Sequence, residues 1–156
     1  MRNQTQITRE LIEQSPRLEV IARAGAGLDN VDTTAAAEAG VVVSYAPAEN
    51  SLSVAELVMG LLLSLARQIP AAWQDSRSGG WDRKTFTGLE LSGRTLGIVG
   101  FGRIGRLVAE RAKAFGMRLI AHDEFISTET FAEAGAESVS FEKLLAESDA
   151  VSVHVP

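Results

Sequence analysis

Short runs of β-branched residues alternate along the chain with stretches whose apolar positions recur every three or four residues. That alternation predicts an α/β fold with a parallel sheet, because each strand needs a crossover to return in the same direction. Thr8 is placed to cap a short helix over 9–14, and Pro16 follows its end. Val20, Ile21 and Ala22 read as a buried strand, and Gly25-Ala26-Gly27 as the loop after it. Asp32 is placed to cap a helix over 33–39, with Gly40 where a left-handed C′ glycine belongs. Val41, Val42 and Val43 form a second strand, and 45–50, with Pro47 inside, is a connection. The most apolar helix follows. Ser53 and Glu56 have capping-box spacing. Leu57, Val58, Leu61, Leu62 and Leu65 make a wide face that Met59 and Leu63 broaden, a pattern that predicts packing on more than one side. Pro70 breaks or restarts this helix. The stretch 74–93 has no clear period, and Trp73 and Trp81 stand at or near its start. We expect an irregular crossing segment with its aromatics on a partner surface.

From Arg94 the periods sharpen. They predict a strand over Thr95–Val99, a helix over 103–115 ended by Gly116, and a strand over Arg118–His122. A helix over Thr128–Ala134, a second capped by Ser140 over Phe141–Glu147, and a strand over 150–155 complete a β-α-β-α-β order. This is the first half of a Rossmann-type doubly wound parallel sheet. No internal repeat or low-complexity tract is evident. A final apolar strand without a further neighbour would be an exposed edge, so the chain is expected to dimerise or aggregate.

The chemistry concentrates after the first of these strands. Gly100-Phe101-Gly102-Arg103-Ile104-Gly105 fits G-x-G-x-x-G, follows a predicted strand and opens a predicted helix. Gly100 permits the tight turn, Gly102 lets the backbone approach a pyrophosphate, and Gly105 lets helix and strand pack closely. The N–H groups and positive dipole end of the helix at Arg103 would face the phosphates. Asp123 follows Gly105 by 18 residues at the end of the next strand, placed to accept from both hydroxyls of an adenine ribose. Glu124 beside it would repel a 2′-phosphate, so NAD is expected over NADP. The competing reading is a glycine-rich turn that binds something else or nothing. Arg103 either reaches a pyrophosphate oxygen or is simply solvated. Gly25-Ala26-Gly27 could offer backbone N–H groups to a carboxylate, or be an ordinary turn. Arg23, just upstream, and Asn50, after Pro47, could face an anionic substrate. His122 precedes Asp123 in the strand and so points to the other face, which favours a structural role. His154, at the end of the last strand, could line the cofactor. Ser51 and Ser53 have no base nearby, and no His/Asp/Glu cluster has metal spacing.

Composition narrows the function classes. Among 156 residues, 15 basic side chains stand against 20 acidic ones, a net charge of −5 that disfavours nucleic acid and anionic membranes as partners. There is no cysteine, which removes disulfides, thiolate metal sites and thiol nucleophiles and fits the cytoplasm. The longest apolar stretch, 57–66, is about half of what a membrane span needs. The first residues are polar, with no secretory signal.

Taken together, Arg23 to Asp32 (RAGAGLDNVD), Ala46-Pro47 to Asn50-Ser51, Ser53-Val54-Ala55-Glu56, Gly93 to Val99 leading into the glycine motif, and Val153-His154-Val155-Pro156 resemble the D-isomer-specific 2-hydroxyacid dehydrogenases over essentially the whole chain. Leu65 to Pro70 and Lys84 to Leu91 look most like the D-3-phosphoglycerate dehydrogenases of serine biosynthesis within that family. The resemblance implies that 1–50 is the later part of a flavodoxin-like substrate-domain segment. It makes 51–92 a crossing helix and irregular connection, and 93–156 the first half of an NAD-binding domain. It implies NAD contacts from Ala26, Gly100, Gly102, Arg103, Ile104, Gly105, Asp123 and Val155. It also implies a small 2-hydroxy acid held by Gly25, Ala26 and Gly27 through backbone N–H groups, with Arg23 and Asn50 facing it and Arg2 near a phosphate. It further implies a homodimer or higher oligomer through the NAD domain. Tyr45 departs from a usual asparagine and Glu124 from a frequent proline, each with small local effects expected. The family's substrate-polarising arginine and its histidine–glutamate pair fall beyond Pro156, so this chain alone is expected not to turn over. Two alternatives remain open: another 2-hydroxyacid dehydrogenase, such as a glyoxylate or hydroxypyruvate reductase or a formate dehydrogenase, and a non-catalytic NAD-binding interaction module.

Overall fold

The computed structural model describes residues 4–47 and 49–155. They fall into two compact units, Met1–Asn50 and Ser51–Pro156.

In the first unit, α1 (Arg9–Glu13) starts where the Thr8 hydroxyl accepts from the Leu11 N–H. β1 (Val20–Arg23) follows, then α2 (Thr33–Glu38), whose first turn is capped by Asp32 Oδ1 accepting from Ala35 at 2.8 Å. β2 (Val42–Tyr45) pairs parallel with β1, Val20 opposite Val42 and Arg23 opposite Tyr45. Ile12, Ile21, Val31, Ala35, Ala36 and Val41 form the core. Two expectations shift here. β1 is buried on one face only: Ile21 and Arg23 point inward while Val20 and Ala22 are exposed. β2 begins one residue late and runs through Tyr45. Gly40 takes φ 72° and the Val41 N–H donates back to the Ala36 carbonyl at 2.8 Å, so Val41 closes the helix instead of opening the strand.

The second unit runs α3 (Ser51–Ala66), α4 (Ile69–Arg77), β3 (Thr95–Val99), α5 (Arg103–Ala114), β4 (Arg118–His122), α6 (Thr128–Ala134), β5 (Glu137–Ser138), α7 (Phe141–Glu147) and β6 (Ala150–Val153). Its four-stranded sheet is parallel throughout, in the order β5-β4-β3-β6. The chain builds outward from β3 and then crosses back to lay β6 on the other side. That reversal is the topological switch point of a Rossmann-type sheet, and ligands bind outside the carboxyl ends of the strands there. β3 is central, so Thr95, Leu96, Gly97 and Ile98 are all buried. Phe101 and Phe131 are fully buried and stack at 4.7 Å. Truncating either to alanine would cost about 3–5 kcal/mol.

Several expectations are corrected. α3 begins at Ser51, so Ser53 lies inside it and the Ser53/Glu56 capping box does not form. Within this unit α3 packs on one side: Ala55 and Met59 are buried, and Leu57, Leu61 and Leu65 are exposed. Pro70 starts a helix, because its missing N–H falls in a first turn where none is needed. Gln68, at φ 53°, turns the chain into α4, and the two helix axes bend by 63°. Helix therefore extends to Arg77, into the stretch expected to be irregular. β5 was not anticipated, and β6 ends at Val153, although the His154 N–H still donates to the Val99 carbonyl at 2.7 Å. Among the described residues no single helix is long and apolar enough to cross a membrane.

Candidate functional site

The carboxyl ends of β3, β4 and β6 enclose a cavity of about 380 Å³ whose wall includes Gly100, Gly102, Asp123, Phe125, His154 and Val155. Each glycine of the motif has a separate reason. Gly100 has φ +88°, and a Cβ on it would press on Val155 at 2.7 Å and the His154 carbonyl at 2.9 Å. A Cβ on Gly105 would collide with the Gly100 carbonyl oxygen, so α5 lies tight on the loop. A Cβ on Gly102 would meet nothing within 4 Å. Space is thus left at Gly102 alone among the three glycines of the motif. The loop is held from both sides. The Gly100 N–H donates to the His122 carbonyl at 2.9 Å, and the Phe101 N–H donates to Asp123 Oδ2 at 2.7 Å. The buried Phe101 ring pins the loop from below.

Asp123 Oδ1 accepts from the Phe125 N–H at 2.9 Å. Both carboxylate oxygens, expected to serve a ribose, therefore already hold a backbone donor. A carboxylate has about four acceptor positions, so two remain. The bonds in place fix its orientation before any ligand arrives. Arg103 begins α5, whose positive dipole end faces the loop. The Ile104 side chain is half-buried and packs on the core. His122 Nδ1 donates to the Val139 carbonyl at 3.1 Å and ties β4 to the segment before α7. His154 Nε2 lies 2.9 Å from Ser152 Oγ, and partial burial lowers its pKa, which favours the neutral ring. Among the described residues no group of three potential metal ligands occurs.

In the first unit, a larger hollow of about 770 Å³ is walled by the 25–27 loop, Arg23, Asp29, Glu49 and Asn50. Gly25 is not an available donor, because its N–H turns back onto the Arg23 carbonyl at 3.1 Å. Among the described residues nothing accepts from the N–H of Ala26 or Gly27. Arg23 is buried, its Nε donating to Asn30 Oδ1 at 3.0 Å. Arg2 lies outside the described residues.

The family model for the D-isomer specific 2-hydroxyacid dehydrogenase NAD-binding domain matches residues 59–156. The chain belongs to this dehydrogenase family. It is 48% identical to D-3-phosphoglycerate dehydrogenase of Methanocaldococcus jannaschii over its whole length, and it spans 30% of that relative. The TT0316 protein of Thermus thermophilus superposes with a TM-score of 0.91 at 37% identity over 99% of this chain and 49% of that one. D-lactate dehydrogenase of Aquifex aeolicus, solved with NAD and lactic acid, superposes at 0.91 with 31% identity over 99% of this chain and 46% of that one.

The second unit's cavity fits the family's cofactor, NAD. The gap at Gly102, the opening of α5 and the oriented Asp123 supply the features a pyrophosphate and a ribose require. Sequence reasoning missed three residues here. Phe125 is 93% exposed at the cavity wall, and an aromatic directly after an acidic pair was its only signal. Asp29 walls the first unit's hollow, and Asn30 braces Arg23. Both stood inside a recognised motif, but their distance in sequence from Arg23 gave no cue to the contact.

Proposed function

We propose that this chain is the cofactor- and substrate-binding part of an NAD-dependent D-2-hydroxyacid dehydrogenase, acting on 3-phosphoglycerate to give 3-phosphohydroxypyruvate. The observation that carries the cofactor half is the open space at Gly102 beside an Asp123 carboxylate already oriented by two backbone N–H groups. The substrate half is supported by the whole-length identity to a phosphoglycerate dehydrogenase.

When bound, NAD supplies a nicotinamide ring that takes a hydride from carbon. The residues of this chain bind and orient. Gly102 and the first turn of α5 receive the pyrophosphate, and Asp123 accepts from the ribose hydroxyls. Val155 and Gly100 bound the cavity wall on the β6 side. Glu124, exposed beside Asp123, puts a second negative charge where NADP would carry its extra phosphate. In the first unit, Ala26 and Gly27 donate to the substrate carboxylate, and Arg23 and Asn50 face the acid. Ala26 is also assigned to the cofactor on the family motif. Removing the hydroxyl proton needs a base tuned by a carboxylate, and none of the residues assigned here takes that task. We further propose a cytoplasmic homodimer formed through the second unit.

Binding decides the substrate. Calorimetric titration of this chain should detect 3-phosphoglycerate and give a weaker signal with lactate or glyoxylate. Preference for glyoxylate would move the assignment to a reductase. NADH formation from 3-phosphoglycerate above the uncatalysed rate would contradict the purely binding role.

A further inference from the structure

We propose that Ser152 is a positioning residue for His154. Its hydroxyl holds the imidazole with the ring proton on Nδ1, so that the ring offers a donor to the acceptor oxygens of NAD. This rests on the reading that the second unit's cavity takes NAD.

The His154 N–H donates to the Val99 carbonyl at 2.7 Å, so the path of β6 continues to His154. Ser152 and His154, two residues apart on an extended chain, therefore share one face of the sheet. Both are half-buried. Ser152 stands opposite Ile98, which is fully buried. A β-branched apolar residue suits such a place better than serine. What serine adds is Oγ, 2.9 Å from His154 Nε2.

Burial lowers the His154 pKa and favours the neutral ring, which carries one proton on one of its two nitrogens. The partner decides which. At His122 the partner is the Val139 carbonyl, which only accepts, so Nδ1 must carry the proton there. A hydroxyl both donates and accepts. Were Ser152 to accept from Nε2, its own proton would meet no acceptor among the described residues. Donating to Nε2 uses that proton and leaves the ring proton on Nδ1.

His154 walls the same cavity as Gly100, Gly102 and Asp123. It lies against the glycine loop, where a Cβ on Gly100 would come within 2.9 Å of the His154 carbonyl. Its backbone N–H is held by Val99 and its Nε2 by Ser152, so Nδ1 is the donor this residue has left for a ligand. Pyrophosphate oxygens only accept. A proton on Nδ1 meets them, and a bare lone pair there repels them. A neutral donor also serves the dinucleotide without being drawn into an ion pair with Asp123 or Glu124, the two acids on the same wall.

The test uses the full chain at about pH 8, where such a ring is neutral. Nitrogen NMR of the His154 ring is read alongside calorimetric titration with NAD. The parent should show Nδ1 protonated and Nε2 bare before NAD is added. Ser152→Ala should spread the proton over both nitrogens and weaken NAD binding by about three- to tenfold, the net effect of one hydrogen bond. Ser152→Thr keeps the hydroxyl and should restore both the tautomer and the affinity. The amide shift of the buried Phe131 should stay in place throughout. A merely structural serine would change stability and leave the tautomer as it was. An unchanged tautomer in Ser152→Ala, or NAD affinity within about twofold of the parent, overturns the proposal. Should that variant not fold, the parent spectrum decides: a ring protonated on Nε2 overturns the proposal and one protonated on Nδ1 supports it. No binding of NAD by the parent chain overturns the cofactor reading and this proposal together.

Discussion

Gly102 and Gly105 are three residues apart and make opposite predictions. Gly102 has φ −69° and ψ −154°, within reach of any residue, and has open space around it. Gly102→Ala should keep the melting temperature and lower NAD affinity by at least about tenfold, because the methyl occupies the space of the pyrophosphate. Gly105→Ala drives a methyl into the Gly100 carbonyl and should destabilise the second unit by about 1–3 kcal/mol in denaturant unfolding. Equal behaviour of the two variants would refute this division of roles. The motif was legible because glycine spacing, the preceding strand and Asp123 are all written in order along the chain. The grip of Asp123 on Phe101 and Phe125 was not, since residue type says nothing about which partner a carboxylate will choose. The internal bond of Gly25 was hidden for the same reason: the loop's composition suits a nest of N–H groups, but its turn closes one of them.

At the scale of elements, the three-residue caps read correctly wherever an apolar period began beside them, as at Thr8, Asp32 and Ser140. Ser53 misled because Ser51 also suits a helix start and the apolar run extends back to it. β5 has two residues, too short to show a period, and only its pairing with Ile120 and Ala121 defines it. Its hold comes from charge. Glu137 lies 2.8 Å from Arg118 on β4 and 2.7 Å from Lys143 on α7, and Glu147 lies 2.9 Å from Arg118. Hydrogen bonds from Lys143 and then Arg118 bring the Glu137 carboxyl down to about 2. Its folded pKa is below its unfolded one, so its stabilising contribution is present above about pH 4.5 and fades as pH falls through about 2. A carboxyl titration by NMR should place Glu137 well below the usual glutamate range, with the shift reduced by salt because the network is exposed. An ordinary glutamate value in low salt would show that the ring of charges does not persist in solution.

For the whole molecule, the α/β class and the Rossmann order were legible because strand and helix periods alternate cleanly from Thr95 onward. The surface was not. A helix apolar all round suggested burial on several sides, yet Leu57, Leu61 and Leu65 on α3, with Ile69 and Trp73 on α4, are each more than half exposed. An apolar surface of this kind marks an interaction site, and it supports the proposed pairing of copies through the second unit. Sedimentation should find a dimer that Leu61→Glu converts to monomer. A parent chain that stays monomeric would end that proposal. The binding of NAD itself tests the account most directly. Titration of the chain with NAD and with NADP should show NAD bound and NADP at least about tenfold weaker, and Asp123→Ala should lose about 1–3 kcal/mol of NAD affinity. Equal affinity for the two nucleotides, or an Asp123→Ala variant that binds NAD as the parent does, would contradict it.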